Sequence, residues 1–127
     1  MNISSIIIVL SILFIHWFAD FVCQTESMAL GKSKSWNSLL EHTFIYSILW
    51  FPFAIAYNVI TDSVHVNPIL LFPVITFICH TATDYYTSRV NVRLWEEKKT
   101  HEFFVSIGFD QFLHFTQLFL TYYLLTK

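Results

Sequence analysis

The chain has 127 residues, of which 55% are hydrophobic and only 13% are charged, and its mean hydropathy is +0.55. A soluble domain carries roughly 25% charged residues, so this composition predicts a single domain embedded in a lipid bilayer. The net charge of −2 gives no reason to expect a nucleic-acid partner. No basic patch interleaved with aromatic residues points to one either.

The hydrophobic runs predict an all-α fold, a four-helix transmembrane bundle that occupies residues 1–127 as one domain. A helix of about 20 apolar residues crosses roughly 30 Å of hydrocarbon. The predicted spans are 3–23, 38–60, 68–88 and 103–125. Pro52 predicts a kink in the second span, and Pro68 and Pro73 predict the start of the third. No Lys or Arg precedes the first span, so we interpret it as a membrane helix and not as a signal peptide.

The connectors between the spans differ in charge. The first connector, 24–37, and the third, 89–102, together carry six Lys and Arg residues, whereas the other side has only Lys127. By the positive-inside rule, these two connectors are cytoplasmic and both termini lie outside. His65 and His101 lie in connectors and are interpreted as solvated.

Histidine and aspartate recur at a spacing of four within the predicted spans. The pairs are His16 with Asp20, His80 with Asp84 and Asp110 with His114, and the second span adds His42. Residues four apart lie on the same face of a helix. With the predicted topology, all seven fall in the cytoplasmic half of the bundle, which indicates a single site.

Further polar residues extend these pairs into stripes that face the bundle interior. The stripes add Gln24; Ser38 and Tyr46; Thr76 and Ser88; and Ser106, Gln117 and Thr121. The first and third spans each end in His-x-x-x-Asp, and the second and fourth each bring a further His. This weak internal repeat would fit two helix hairpins related by an axis along the membrane normal.

Ionisable side chains inside a membrane cost a few kcal/mol each and need compensation. A divalent metal ion supplies it, because imidazoles and carboxylates are good ligands for zinc, iron or manganese. The candidate ligands are His16, Asp20, His42, His80, Asp84, Asp110 and His114. Seven exceed the four that a tetrahedral ion needs. Either two ions bind, or some Asp residues orient His ligands.

A metal ion at the cytoplasmic face would activate water for hydrolysis. Asp20 or Asp110 is then the predicted base, and Lys32 and Arg89 at the rim are predicted to hold an anionic headgroup. The sequence thus favours a metal-dependent hydrolase that acts on a lipid-linked, amphipathic or phosphorylated substrate. The basic residues also have a simpler explanation as topology determinants, and a single intramembrane His is most often a packing residue.

Two other classes of function remain open. Lines of His and Asp also form proton relays and ion sites, which suggests a component of proton or metal-ion transport. The outer halves of the helices are nearly all apolar, so one subunit offers no continuous polar path. A small membrane regulatory or interaction protein would tolerate changes to the His and Asp set. A homo-oligomer is compatible with so small a core, although no motif predicts one.

Five short blocks combine these polar residues with their neighbours: His16-Trp-Phe-Ala-Asp20-Phe-Val-Cys-Gln24, Lys32-Ser, Leu40-Glu-His42, His80-x-x-x-Asp84-Tyr and Phe109-Asp110-Gln-Phe-Leu-His114. Together they resemble an uncharacterised family of small polytopic membrane proteins from bacteria and their viruses, domain of unknown function 3307. The resemblance spans nearly the whole chain and implies a location in the bacterial inner membrane. It adds Gln24 and Gln111 to the shared polar residues, and we expect both to orient the metal ligands. The family carries no activity that transfers to this chain.

Overall fold

The computed structural model describes residues 3–60 and 66–127, and this part of the chain is helical apart from short turns. The helices are α1 (Ile3–Trp17), α2 (Glu26–Gly31), α3 (Trp36–Ile48), α4 (Trp50–Ile60), α5 (Val66–Glu96) and α6 (Thr100–Leu125), and a π-helical turn, Phe18–Val22, continues α1. The prediction of an all-α fold is confirmed. His65, predicted to be solvated, and most of the second connector lie outside the described residues.

Three stretches of the described chain are long and apolar enough to cross a membrane. They are Ile3–Val22, Trp36–Ile60 and Ile69–Glu96. These correspond to the first three predicted spans. Helix α6, the fourth, has 26 residues, but polar residues such as Asp110, Gln111 and Gln117 lower its hydropathy.

The helix of the second span breaks about one turn before Pro52, the residue at which a kink was predicted. Proline lacks the N–H that would bond the carbonyl four residues before it, and its ring crowds that carbonyl. For Pro52 this carbonyl belongs to Ile48, where α3 ends, and α4 begins at Trp50. The predicted kink at Pro52 is therefore a helix break at Leu49.

The third span is longer than predicted. Helix α5 continues past Ser88 to Glu96, so most of the predicted connector is helical and the break before α6 is confined to 97–99. Arg and Glu are good helix formers, and they allow the helix to extend beyond its apolar part. Pro73 lies inside α5, so the prediction that it marks the helix start is wrong.

The first connector contains α2, which the sequence analysis missed. Thr25 caps this helix, since its hydroxyl accepts a hydrogen bond from the backbone N–H of Met28 at 3.3 Å. At its end, α2 approaches α3 closely. A Cβ atom on Gly31 would lie 2.5 Å from Ser38 Oγ, so a larger residue would push the connector away from α3.

Polar and apolar side chains are distributed as in a membrane protein. Large apolar side chains such as Phe14, Ile78 and Phe112 are about 60% exposed, whereas many polar side chains are buried. One half of the bundle has an apolar core formed by Ile12, Ala19, Tyr46, Trp50, Phe72 and Leu118. The other half, which carries α2 and the α5–α6 turn, buries the His and Asp residues, and we call it the polar half.

The two glycines provide a matched test of the α2–α3 contact. Gly31→Ala should cost about 1–3 kcal/mol of unfolding free energy, because its methyl group overlaps Ser38. Gly108→Ala meets nothing within 4 Å and should be neutral or stabilising by up to about 1 kcal/mol, because Ala is the better helix former. Thermal unfolding in detergent measures both, and equal stability of the two variants would contradict the contact.

Candidate metal centre

All seven predicted ligands meet in the polar half, and each is at most 7% exposed. They come from α1 (His16), the π-helical turn (Asp20), α3 (His42), α5 (His80 and Asp84) and α6 (Asp110 and His114). In α5 the spacing of four places Thr76, His80, Asp84 and Ser88 on one buried face. The sequence pattern therefore describes a real convergence of side chains.

Four of these residues form a compact group of nitrogen and oxygen atoms. His42 Nε2 lies 3.1 Å from Asp20 Oδ1, 3.2 Å from Asp84 Oδ2 and 3.2 Å from His80 Nε2. His80 Nε2 lies 3.5 Å from Asp20 Oδ1 and 3.7 Å from Asp84 Oδ2. One donor atom from each of the four lies within 4.8 Å of the others.

These spacings suit a tetrahedral metal ion. Zinc binds imidazole nitrogen and carboxylate oxygen at about 2.0–2.2 Å, which corresponds to about 3.3–3.6 Å between neighbouring ligand atoms of a tetrahedron. The five distances between the His42, His80, Asp20 and Asp84 atoms run from 3.1 to 3.7 Å. The group could therefore hold a metal ion.

A second group shares Asp84. His114 Nε2 lies 3.2 Å from Asp84 Oδ1 and 3.4 Å from Asp110 Oδ1, and these three residues also satisfy the spacing for a metal ion. Asp110 Oδ1 accepts a hydrogen bond from the Thr87 hydroxyl at 2.5 Å. Geometry alone thus allows two adjacent sites bridged by Asp84.

The contact between two histidines restricts how these groups are used. His80 Nδ1 lies 3.1 Å from His114 Nδ1, so one of these nitrogens must donate a proton to the other. If His80 Nε2 binds a metal ion, its proton is on Nδ1 and His114 accepts it. His114 then keeps its proton on Nε2 and donates to Asp84 and Asp110. One ion fits this arrangement, and His114 orients the carboxylates.

Lys32 lies among the seven predicted ligands and not at the rim of this group, and we call the seven ligands together with Lys32 the centre. Its Nζ donates to Asp84 Oδ2 at 2.8 Å, and its side chain is 19% exposed. Burial alone would lower the pKa of the Lys32 ammonium, but the carboxylates of Asp84 and Asp20 outweigh this effect and raise that pKa above its ordinary value. Lys32 is therefore a fixed positive charge among the three aspartates.

A charge count shows what the centre lacks. Asp20, Asp84 and Asp110 contribute −3 and Lys32 contributes +1, which leaves −2 when the histidines are neutral. Buried charge that is not compensated is strongly unfavourable in a low dielectric. One divalent cation in the Asp20–His42–His80–Asp84 group would make the centre neutral.

His16 is held by hydrogen bonds on both sides of its ring. Gln111 Nε2 donates to Asp20 Oδ2 at 3.3 Å and to Asp110 Oδ2 at 3.1 Å, so Gln111 Oε1 faces His16 Nε2 at 2.8 Å. His16 Nε2 must therefore donate, and His16 Nδ1 accepts from the Tyr46 hydroxyl at 2.7 Å. In this arrangement His16 has no free nitrogen for a metal ion.

The remaining predicted residues lie around this network. The Oε1 atom of Gln24 is buried without a hydrogen-bond partner among the described residues. Arg89 stacks on the Tyr85 ring at 3.7 Å and donates to the Tyr85 carbonyl at 2.6 Å. His101 is exposed. Their predicted roles as orienting, headgroup-binding and solvated residues stay predictions.

Tyr46 and Thr87 are parts of the centre that the sequence analysis did not assign to it. Tyr46 belongs to the predicted polar stripe of the second span, and its ring stacks on His80 with centroids 3.8 Å apart. Thr87 lies three residues after Asp84, so its position on the same helix was available from spacing. Hydroxyl partners of this kind carry no sequence signal of their own.

Tyr46→Phe tests the hydrogen-bond network. The variant keeps the ring that stacks on His80 but leaves His16 Nδ1 without a donor, so we expect a loss of about 1–3 kcal/mol of unfolding free energy. Tyr86 is 69% exposed, and Tyr86→Phe is the matched control that should change stability by less than about 0.5 kcal/mol. Equal unfolding free energies of the two variants in detergent would contradict the network.

Comparison with known proteins assigns the chain to a family. No curated protein and no solved structure matches it. A family model described as "Protein of unknown function (DUF3307)" matches residues 7–127, a range that contains every residue of the centre. This confirms the resemblance found in the sequence, and the chain belongs to the DUF3307 family.

Proposed function

We propose that this protein binds one divalent metal ion through Asp20, His42, His80 and Asp84 and acts as a membrane-embedded metal-dependent hydrolase. The observation that carries the proposal is the set of five ligand–ligand distances between 3.1 and 3.7 Å. Two imidazoles and two carboxylates suit zinc, iron or manganese. The charge count, which leaves −2, supports a divalent ion independently.

The chemistry that such an ion supplies when bound is activation of water and polarisation of a carbonyl or phosphoryl oxygen. Asp110 is the better of the two predicted bases, because Asp20 belongs to the ligand group. Asp110 Oδ1 is held by Thr87 and its Oδ2 by Gln111. Asp110 also lines a cavity beside the centre, where it can take a proton from the attacking water.

The proposed setting is the bacterial inner membrane, with α6 as a fourth span and both termini outside. Helix α6 carries Asp110 and His114 into the same buried centre as the other helices, and it has the length to cross the membrane. Six of the seven Lys and Arg residues lie on the side of α2 and the α5–α6 turn, and by the positive-inside rule this supports a cytoplasmic polar half. The substrate would then be lipid-linked or amphipathic.

Proton handling is the alternative that the charge count favours next. Two protonated histidines would supply the same charge of +2 as a metal ion. They would neutralise the net charge of −2 that the three aspartates and Lys32 leave. The apolar core formed by residues such as Ile12, Trp50 and Phe72 closes the other half of the bundle. A proton path through one subunit would have to cross that core, which makes transport the weaker proposal.

Metal content tests the proposal directly. The purified protein should contain about one equivalent of a transition metal, since it has one tetrahedral set of ligands. His80→Ala should lose it, whereas Asp110→Asn should retain it and lose at least about 10²-fold in hydrolytic rate. His101→Ala, at an exposed histidine, is the control that should keep both.

A second measurement separates metal loss from unfolding. A ligand that binds only the folded state stabilises it by RT ln(1 + [L]/Kd). Chelation should therefore lower the unfolding temperature of the wild type and of Asp110→Asn, but not that of folded His80→Ala. A wild-type protein without metal after reconstitution, with proton flux in liposomes, would replace the hydrolase by the proton-handling alternative.

Reporter fusions test the topology. Alkaline phosphatase fused after Lys127 should be active, because we place the C-terminus outside, and green fluorescent protein fused after a chain truncated at Glu97 should fluoresce in the cytoplasm. Alkaline phosphatase that is active when fused after Glu97 would contradict this topology and indicate the opposite orientation. An inactive phosphatase after Lys127 would mean that α6 does not cross the membrane.

A further inference from the structure

We propose that the polar half binds a phosphate-bearing amphiphile, whose anionic group lies among Ser33, Lys34, Arg89 and Arg93 and whose apolar part lies beside the metal centre. This inference rests on the proposed function, because it names the substrate class of the same centre. It is carried by two adjoining cavities and by buried polar atoms that line them.

The larger cavity, which we call the main cavity, has a volume of about 450 Å³ and reaches the centre at Asp20, Lys32, Asp110 and Gln111. Ligand pockets commonly occupy about 300–1,000 Å³. Its remaining wall is mostly apolar and includes Phe21, Leu30, Val92, Trp95, Phe103 and Ile107. An acyl or prenyl chain suits such a wall, whereas a fully hydrated solute does not.

Buried polar atoms show that the main cavity is also built for a polar group. Gln24 Oε1, Ser33 Oγ, Ser88 Oγ and Asn91 Oδ1 are buried without a hydrogen-bond partner among the described residues, and all four side chains line this cavity. Ser88 is only 6% exposed. An unpaired buried polar group costs about 1–3 kcal/mol. The Ser33 and Ser88 hydroxyls can donate to the phosphate or ester oxygens of a ligand, whereas the amide oxygens of Gln24 and Asn91 can only accept and would pair with a donor on the ligand, such as a hydroxyl group.

The smaller cavity, which we call the basic cavity, supplies the charge. It has a volume of about 230 Å³ and is lined by Ser33, Lys34, Arg89, Val92, Arg93 and Glu96. Three cations against one carboxylate leave a net charge of +2, which matches a phosphate monoester. The centre with one metal ion is neutral, so the negative charge of a ligand must be met here.

The two cavities adjoin and define an orientation for the ligand. Ser33, Lys34, Val92 and Glu96 line both of them, so one molecule can extend from the basic cavity to Asp110. The phosphate in the basic cavity would then anchor the ligand and would not itself be the group that is hydrolysed. Binding energy from a part of the substrate that does not react is a common means of positioning the reacting bond.

The test uses the full chain in phosphatidylcholine nanodiscs, with decyl phosphate as the probe and calorimetric titration as the readout. Decyl phosphate should bind saturably. Inorganic phosphate, which lacks the apolar chain, and decyltrimethylammonium, which lacks the anionic group, should each bind at least about tenfold more weakly. Equal binding of inorganic phosphate would overturn the amphiphile, and equal binding of decyltrimethylammonium would overturn the anion site.

Charge variants distinguish binding in the basic cavity from a general electrostatic attraction of the anionic probe to nearby Lys and Arg residues. Lys34→Gln with Arg93→Gln should weaken decyl phosphate binding at least about tenfold, because both charge-assisted contacts are lost. Lys98→Asn with Lys99→Gln removes two cations of the α5–α6 turn that line neither cavity, and binding should stay within about twofold. Equal losses in the two double variants would overturn the proposal.

Two buried serines provide a matched pair for the main cavity. Ser88→Ala should weaken decyl phosphate binding, because the Ser88 hydroxyl is a buried donor without a partner among the described residues, whereas Ser47→Ala should not. Ser47 is 5% exposed, but its hydroxyl donates to the Thr43 carbonyl and the residue lines neither cavity. Metal content measured in the same preparations distinguishes the two proposals, because the cavity variants should keep their metal even where they lose the amphiphile.

Discussion

Asp84 is the side chain on which the polar half depends. It is 1% exposed, and its two oxygens contact residues from the first connector and from two other helices. Oδ2 contacts Lys32 at 2.8 Å and His42 at 3.2 Å, and Oδ1 contacts His114 at 3.2 Å. A buried carboxylate with so many partners fixes their relative positions, because each loses favourable electrostatic energy if it moves away.

The charge around Asp84 needs compensation, and the proposed metal ion is one source of it. A carboxylate shielded from water requires a positive charge or hydrogen-bond donors. Lys32, Gln111 and Thr87 provide part of this compensation. With neutral histidines, the remaining −2 lies beside the converging nitrogens of His42 and His80, where the proposed metal ion would have both its charge and its ligands satisfied.

The helical periodicity of the sequence was sufficient to predict which side chains converge. His80 and Asp84 in the long helix α5, and Asp110 and His114 in α6, obey the spacing of four and are buried together. Lys32 was predicted to lie at the rim because it belongs to a polar connector. The short helix α2 brings it inwards, and the cap and close glycine contact that position α2 depend on tertiary packing.

The sequence could not predict which side-chain atoms donate and which accept hydrogen bonds. His16 shares the spacing of the other pairs, but Tyr46 and Gln111 occupy both of its ring nitrogens, and only the orientation of the Gln111 amide reveals this. The number of metal ions was likewise open. The 3.1 Å contact between His80 and His114 supports the proposal of one ion, because two ions bound through the Nε2 atoms of both histidines would place protons on both facing nitrogens.

The main cavity reaches the centre from one side, and the apolar core covers the opposite side. Asp20, Asp110 and Gln111 line the cavity, while His42, His80, Asp84 and His114 are not among its lining residues. A molecule in the cavity therefore meets the proposed base before it meets most of the ligands. On the far side of the histidines, Tyr46, Trp50 and Phe72 are packed into the apolar core. A centre that is open at one side and closed at the other suits a substrate that enters and leaves by the same route, as in an enzyme, better than an ion that must pass through.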